Sequence, residues 1–257
     1  MPAARTRRIA SLLTAIAVVV ALAACAPERT PIASSSPTPT VSVLPAPVEK
    51  VKSFFDKTKY SLDDPTSLWV VNDKLRPLNP IDYVPPDMVD APVRYIYEPL
   101  MRPAAAAAIA KMFAASEAEG GGTMQVQNSY RSFESQTRIY NRAVAAYGQA
   151  GADSDTARPG YSEHQTGWTA DVAAYPSKCD IQECFGDTPQ GIWLAANAWR
   201  FGFIIRYPQG KANVTGYVYE PWHIRYVGVE LSTEMHNTGI TTLEEFFGLP
   251  DAPDYAK

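Results

Sequence analysis

The sequence predicts a mixed α+β fold built as one domain, and three observations carry that expectation. Segments with helical spacing and short runs rich in β-branched and aromatic residues succeed one another without the strand–helix–strand alternation of a parallel sheet. No internal repeat and no glycine-rich phosphate loop breaks the pattern. From residue 51 to residue 257 no second linker occurs, and about 200 residues suit a single domain.

The chain ahead of that domain reads differently. Arg5, Arg7 and Arg8 precede an uncharged apolar run from Ile9 to Ala24, the basic and apolar regions of an export signal. At about 16 residues the run is shorter than the roughly 20 that a membrane span needs. It ends in Leu22-Ala23-Ala24-Cys25, which resembles the lipobox of bacterial lipoproteins. Residues 1–24 are therefore expected to be a lipoprotein signal peptide, with Cys25 the lipidated residue. The alternative is an ordinary signal peptide cut nearby, with Cys25 incidental. Residues 25–50 are rich in Pro, Ser, Thr and Ala, bury too little surface to offset their ordering entropy, and read as a disordered tether.

Within the domain, Leu68-Trp69-Val70-Val71-Asn72 reads as a short strand, followed by an irregular proline-rich passage through Pro86. Pro103 opens an alanine-rich helix that Gly120, Gly121 and Gly122 stop. Thr123 to Gln127 alternates as a strand. A helix is expected from about Ser132 to Tyr147, with Phe133, Gln136, Tyr140, Ala143, Val144 and Tyr147 at helical spacing and Gly148 at its end. Thr169 to Ala173 reads as a strand. Thr188-Pro189 starts another helix, expected to turn Ile192, Trp193, Ala196 and Trp199 inward until Gly202. Phe203 to Tyr207, Tyr217 to Tyr219 and Ile224 to Val227 read as strands. Thr241-Thr242-Leu243-Glu244 offers a capping box for a short helix closed by Gly248.

The formal charge of −4 becomes −7 once residues 1–24, with three arginines and no acids, are set aside. Lysines and arginines are dispersed and not interleaved with aromatic residues, which disfavours nucleic-acid binding. Of three cysteines, Cys179 and Cys184 enclose Asp-Ile-Gln-Glu. In an exported protein such a pair meets an oxidising compartment, so a disulfide is expected, stiffening its surroundings more than the whole fold because so short a loop gains little from closure. A thiolate metal site is disfavoured, since no further cysteine is left to complete it.

Three histidines exist, at positions 164, 223 and 236. His164, Asp171 and His223 would give a catalytic zinc two imidazoles and a carboxylate while leaving one position open for water. Gln165-Thr166-Gly167 is a turn, so His164 can fold back toward Asp171; a continuous helix would also align them, but Gly167 with Thr166 and Thr169 makes a poor one. Glu220 and His223 would face opposite sides of a straight strand, and Pro221 breaks that regularity so that both side chains can enter one cavity. Glu220 is open to two roles, fourth ligand or base for an attacking water. A fourth ligand would close the position that water needs, so the base is preferred. An isolated Glu-x-x-His counts for little, and a lone histidine is more often a surface or core residue. His236, among polar neighbours, reads as structural or exposed.

Four blocks in order carry a resemblance: Asn128-Ser129-Tyr130-Arg131-Ser132-Phe133, Pro159-Gly160-Tyr161-Ser162-Glu163-His164-Gln165-Thr166-Gly167, Thr169-Ala170-Asp171 and Glu220-Pro221-Trp222-His223. Together they resemble the zinc D-Ala-D-Ala carboxypeptidases of the VanY type, in a wider group that also holds D-Ala-D-Ala dipeptidases and L,D-carboxypeptidases. The resemblance covers roughly residues 68 to 230 and implies a compact zinc peptidase domain over residues 51–257, with a small antiparallel sheet flanked by helices. It implies Zn2+ on His164, Asp171 and His223, with Glu220 as general base and then acid. It also implies Arg131 facing the developing oxyanion, and Ser162 and Gln136 contacting the substrate's terminal carboxylate and backbone. Trp168 and Thr169 depart from the smaller or aliphatic residues usual there, which predicts a reshaped pocket wall.

The implied reaction is removal of the terminal D-alanine from peptidoglycan stem peptides by a monomer on the outer face of the bacterial cytoplasmic membrane, attached only through a lipid on Cys25. The runner-up is the same chemistry as an L,D-carboxypeptidase or a cross-link endopeptidase. A non-catalytic cell-wall-binding lipoprotein is an alternative of another class, against which the joint presence of ligands, base and arginine speaks.

Overall fold

The computed structural model describes residues 55–256. The expected signal peptide, Cys25 and the tether lie outside the described residues. In chain order the elements are β1 (Val89–Asp90), β2 (Leu100–Met101), α1 (Pro103–Ala118), β3 (Met124–Asn128), α2 (Phe133–Asp155), β4 (Thr169–Ala174), α3 (Pro189–Asn197), β5 (Phe203–Tyr207), α4 (Ala212–Thr215), β6 (Glu220–Tyr226), α5 (Val229–Thr238) and α6 (Leu243–Phe247). The first two strands make a small antiparallel ribbon. The remaining four form one sheet in the order β3-β4-β6-β5, every neighbouring pair antiparallel. This is the α+β arrangement of a small antiparallel sheet flanked by helices.

The period of two along each strand separates two kinds of side chain. Met124, Val126, Ala170, Val172, Ala174, Phe203, Trp222 and Ile224 join one apolar cluster with Ile109 and Met112 of α1 and Trp193 and Leu194 of α3. The intervening residues, among them Thr169, Asp171, His223, Arg225 and Arg206, fall on the other face. Each fully buried large apolar side chain contributes roughly 1.5–3 kcal/mol, so the packed face anchors the sheet. Polar groups on the opposite face cost stability unless they find partners. A second cluster, with Trp69, Val71, Ile204, Leu231, Met235 and Phe246, holds α5 and α6 against the chain near residue 70.

Several elements differ from the sequence expectation. Leu68 to Asn72 is not a strand: the carbonyls of Leu68 and Val70 accept from Arg225 Nη2 at 3.1 and 2.8 Å, so a side chain satisfies backbone groups that a neighbouring strand would otherwise take. Tyr217 to Tyr219 is irregular because Gly216, at φ 82°, turns the chain after α4; the strand begins at Glu220 and ends at Tyr226. Ser132 caps α2 by accepting from the Ser135 N–H, and Gly148, at φ 72° and ψ 169°, interrupts it, but helix resumes as far as Asp155. Among the residues at helical spacing on α2, only Gln136 is buried, and Tyr147 is 71% exposed. In α3, Ile192 and Ala196 face solvent while Trp193 and Leu194 turn inward. The reason is Gly191, where a Cβ would stand 2.0 Å from the Phe185 carbonyl oxygen, so its face is pressed against the neighbouring turn. The capping box forms one residue later than expected, with Thr242 accepting from the Glu245 N–H, which leaves Glu244 free for the interior.

Cys179 and Cys184 are joined in a disulfide with a Cα separation of 5.6 Å. Among the described residues no helix is long and apolar enough to cross a membrane.

Candidate metal centre

Three local devices assemble the site. His164 lies in a 3-10 turn, Glu163–Thr166, that Gly167 closes in the left-handed region at φ 72°, delivering the chain into β4. Asp171 of β4 and His223 of β6 are direct cross-strand partners, which sets their side chains next to each other on the polar face. Register shifts in the flanking ladders do the rest. One between Val126 and Asn128 pairs Asn128 with Asp171, and one in the β5–β6 ladder, around Pro221, gives Glu220 and His223 a common side.

The Ser129 carbonyl lies 2.6 Å from His164 Nδ1. A carbonyl only accepts, so Nδ1 carries the proton and Nε2 presents its lone pair, 3.4 Å from Asp171 Oδ2. Asn128 Nδ2 donates to the same oxygen at 3.0 Å. His223 Nδ1 stands 3.4 Å from Asp171 Oδ1 and 3.3 Å from Glu220 Oε2. One ligand atom from each of His164, Asp171 and His223 lies within 4.8 Å of the others. Tetrahedral ligands at about 2.0–2.1 Å from zinc are separated by about 3.3–3.4 Å, and each imidazole nitrogen stands 3.4 Å from one of the two Asp171 oxygens. Asp171 Oδ1 is buried without a hydrogen-bond partner. An unmatched buried carboxylate oxygen among two imidazole nitrogens fits a divalent cation, and the donor set suits zinc.

The charges follow from burial and neighbours. Burial opposes the charged form of Asp171, yet His164, His223 and Arg131 outweigh it and hold the carboxyl well below the usual range. Burial likewise disfavours the His223 cation, but the neighbouring carboxylates of Glu163, Glu220 and Asp171 push it up to about 9. Burial pulls His164 below its ordinary value and lifts Glu220 above the ordinary carboxylate value.

A cavity of about 300 Å³ brings Arg131, Ser162 and Glu220 together with His164, Asp171 and His223. Arg131 Nη1 donates to Gln136 Oε1 at 2.8 Å. Gln136 is fully buried, and its Nε2 donates to the Ala157 carbonyl at 2.6 Å and to Thr156 Oγ1 at 3.2 Å. With both donors held by the protein, Gln136 braces Arg131, and it lines the same cavity. Trp168 and Thr169 do not shape the cavity wall: Trp168 Nε1 donates to the Ser67 carbonyl and its ring lies under Arg102, while the Thr169 hydroxyl donates to Glu163. His236 is exposed and stacked on Trp199, away from the site.

The sequence alone did not single out Glu163, although it adjoins a candidate ligand. Its side chain is wholly buried, accepts from Arg206 Nε at 2.8 Å and Arg225 Nη1 at 2.9 Å, and places Oε2 3.6 Å from His223 Nε2. Carboxylates behind metal-binding histidines orient the ring and fix which nitrogen faces the ion. An acid adjoining a candidate histidine is the signal that was legible; its burial and its two arginines were not.

Comparison with known proteins places these features in a wider set. The family model VanY, described as D-alanyl-D-alanine carboxypeptidase, matches residues 98–229. YodJ of Bacillus subtilis (strain 168) is 39% identical over 173 residues, covering 65% of this chain and 63% of YodJ, so the chain spans less than two thirds of that relative. The solved structure of the LdcB LD-carboxypeptidase is similar with a TM-score of 0.67 and 36% identity, over 72% of this chain and 87% of that one. A mutant of the vancomycin-resistance D,D-pentapeptidase VanY in complex with Zn(II) is similar with a TM-score of 0.58 and 30% identity, over 69% of this chain and 97% of that one.

Proposed function

The chain belongs to the VanY family of D-alanyl-D-alanine carboxypeptidases, and from that premise we propose that it is a zinc peptidase removing the terminal D-alanine from peptidoglycan stem peptides. The observation that carries this reading is the convergence of His164, Asp171 and His223 beside Glu220 and Arg131 in one cavity. A zinc ion held by those three residues would polarise the scissile carbonyl and acidify water.

The chain's own groups supply the rest. Glu220 takes the proton of the attacking water and passes it to the leaving amine; burial, which raises its carboxyl, brings it closer to the poise that both transfers need. Arg131, held by Gln136, aims a fixed cation at the oxyanion and so favours the tetrahedral state over the planar amide. Ser162, on the cavity wall, contacts the terminal carboxylate. In the same proposal residues 1–24 direct export, Cys25 carries a lipid, and the domain works as a monomer at the outer face of the bacterial cytoplasmic membrane.

A second reading, L,D-carboxypeptidase, is favoured by the similarity to LdcB, whose TM-score and identity exceed those for VanY. Defined pentapeptide and tetrapeptide stems incubated with the zinc-loaded protein, with products weighed by mass spectrometry, separate the two. Loss of one D-alanine from the pentapeptide is expected, abolished by chelation and restored by zinc. Shortening of tetrapeptides alone would move the assignment to the L,D bond, and zinc binding without hydrolysis of either would leave a wall-binding lipoprotein.

A further inference from the structure

The rim of the cavity is built differently from its floor. Between β4 and α3 the Cys179–Cys184 disulfide closes around Asp180, Ile181, Gln182 and Glu183. Cys179 and Ile181 have φ of 58° and 51°, and among the described residues they alone combine a side chain beyond glycine with positive φ. For a β-branched residue that conformation is an outlier, and glycine would occupy it without strain. Such strain persists only where surrounding structure over-determines it, and it gathers at ligand clamps. Here the disulfide pins one side, and Phe185, wholly buried in the core, anchors the other.

The strained residue does not fill the core. Ile181 is 39% exposed, yet it lines the same cavity as Arg131, Glu220 and His223, with Ile139 and Ala143 of α2 among its apolar lining. A branched apolar side chain held over a polar floor offers contact to an aliphatic group of a bound molecule. We propose that Ile181 is a specificity-determining residue whose side chain packs on a small aliphatic side chain of the bound peptide, and that the Cys179–Cys184 disulfide holds it there. This rests on the peptidase reading given above.

The test compares the zinc-loaded full chain with Ile181→Gly, Ile181→Val and the double variant Cys179→Ser/Cys184→Ser, by steady-state kinetics on a stem peptide, zinc content and Tm. Serine substitution avoids thiol reductants, which bind zinc. Ile181→Gly relieves the backbone, so it keeps the fold even if the double variant does not, and it then decides alone. Ile181→Gly and the double variant are expected to raise KM about five- to tenfold, with kcat within about twofold and Ile181→Val near wild type; a lost methylene contact in a closed pocket costs about tenfold or more, and a rim contact less. An unchanged KM for Ile181→Gly, or a fall in kcat at constant KM, overturns the proposal while leaving the peptidase reading intact. A wild-type chain that hydrolyses no stem peptide overturns both.

Discussion

Two buried polar clusters share one face of the sheet, and they are finished to different degrees. In the deeper one Arg206 donates from Nε to Glu163 and from both terminal nitrogens to Glu244, while Arg225 donates to Glu163, to the Leu68 and Val70 carbonyls and to that of Tyr226. All four charged side chains are wholly buried and none leaves a buried polar atom without a partner. Across 3.6 Å from Glu163 Oε2 to His223 Nε2, the candidate metal centre leaves Asp171 Oδ1 without a hydrogen-bond partner. The completed cluster can only hold the fold, whereas the incomplete one has donor atoms to give. Glu163 joins them, since its two oxygens face the arginines and His223.

The largest expected effect falls on the incomplete side. Glu220→Gln should lower hydrolysis of a stem peptide about 10³-fold, roughly 4 kcal/mol of transition-state stabilisation, in a steady-state assay with zinc still bound. The metal-free variant should melt no lower than wild type, because burial disfavours the Glu220 charge in the folded state. Turnover retained at wild-type rate would remove Glu220 from the chemistry and blur the contrast between the clusters.

On the finished side the consequence is stability. Arg206→Met leaves Glu163 and Glu244 short of their shared partner, and breaking a buried pair from one side costs about 3–5 kcal/mol. Urea titration of the metal-free protein measures it. A loss below about 1 kcal/mol would resemble an exposed pair and deny the cluster its scaffold role.

The smallest effect is a pH slope. Burial opposes the Glu163 charge, but Arg206 and Arg225 outweigh it and hold the carboxyl far below its ordinary 4.5. Below that value the unfolded chain binds the proton and the folded chain does not. The contribution of Glu163 is therefore complete at neutral pH and is lost as pH falls from 4.5 toward the folded value, at about 1.4 kcal/mol per pH unit for each such proton. Asp171, also lowered, adds a slope of the same sign. Denaturation of metal-free protein between pH 5 and 3 should show it, and Arg206→Met should flatten it; a variant with the full slope would mean the arginine does not hold Glu163 charged.

Legibility in the sequence followed distance along the chain. The Pro103 start of α1, the Ser132 cap of α2 and the turn at Gly167 depend on near neighbours, and each was readable as written. The histidines and acids of the candidate centre stood out because so few histidines exist. Glu163 did not, since its partners lie 43 and 62 residues away. Leu68 to Asn72 misled for a related reason: its composition suits a strand, but a distant arginine takes its carbonyls. Trp168 looked like a cavity residue and instead packs in the core with its indole N–H on Ser67.

By itself the sequence determined which donor chemistry the chain carries, where its backbone turns and caps, and which two cysteines can pair. Tertiary structure alone decided that Asp171 faces His223, that a register shift brings in Asn128, and that Glu163 is charged at the centre of an arginine pair. Turns and caps follow from the steric and hydrogen-bonding preferences of adjacent residues, whereas strand register and the burial of charge are settled only when segments far apart in the chain compete to pack against one another.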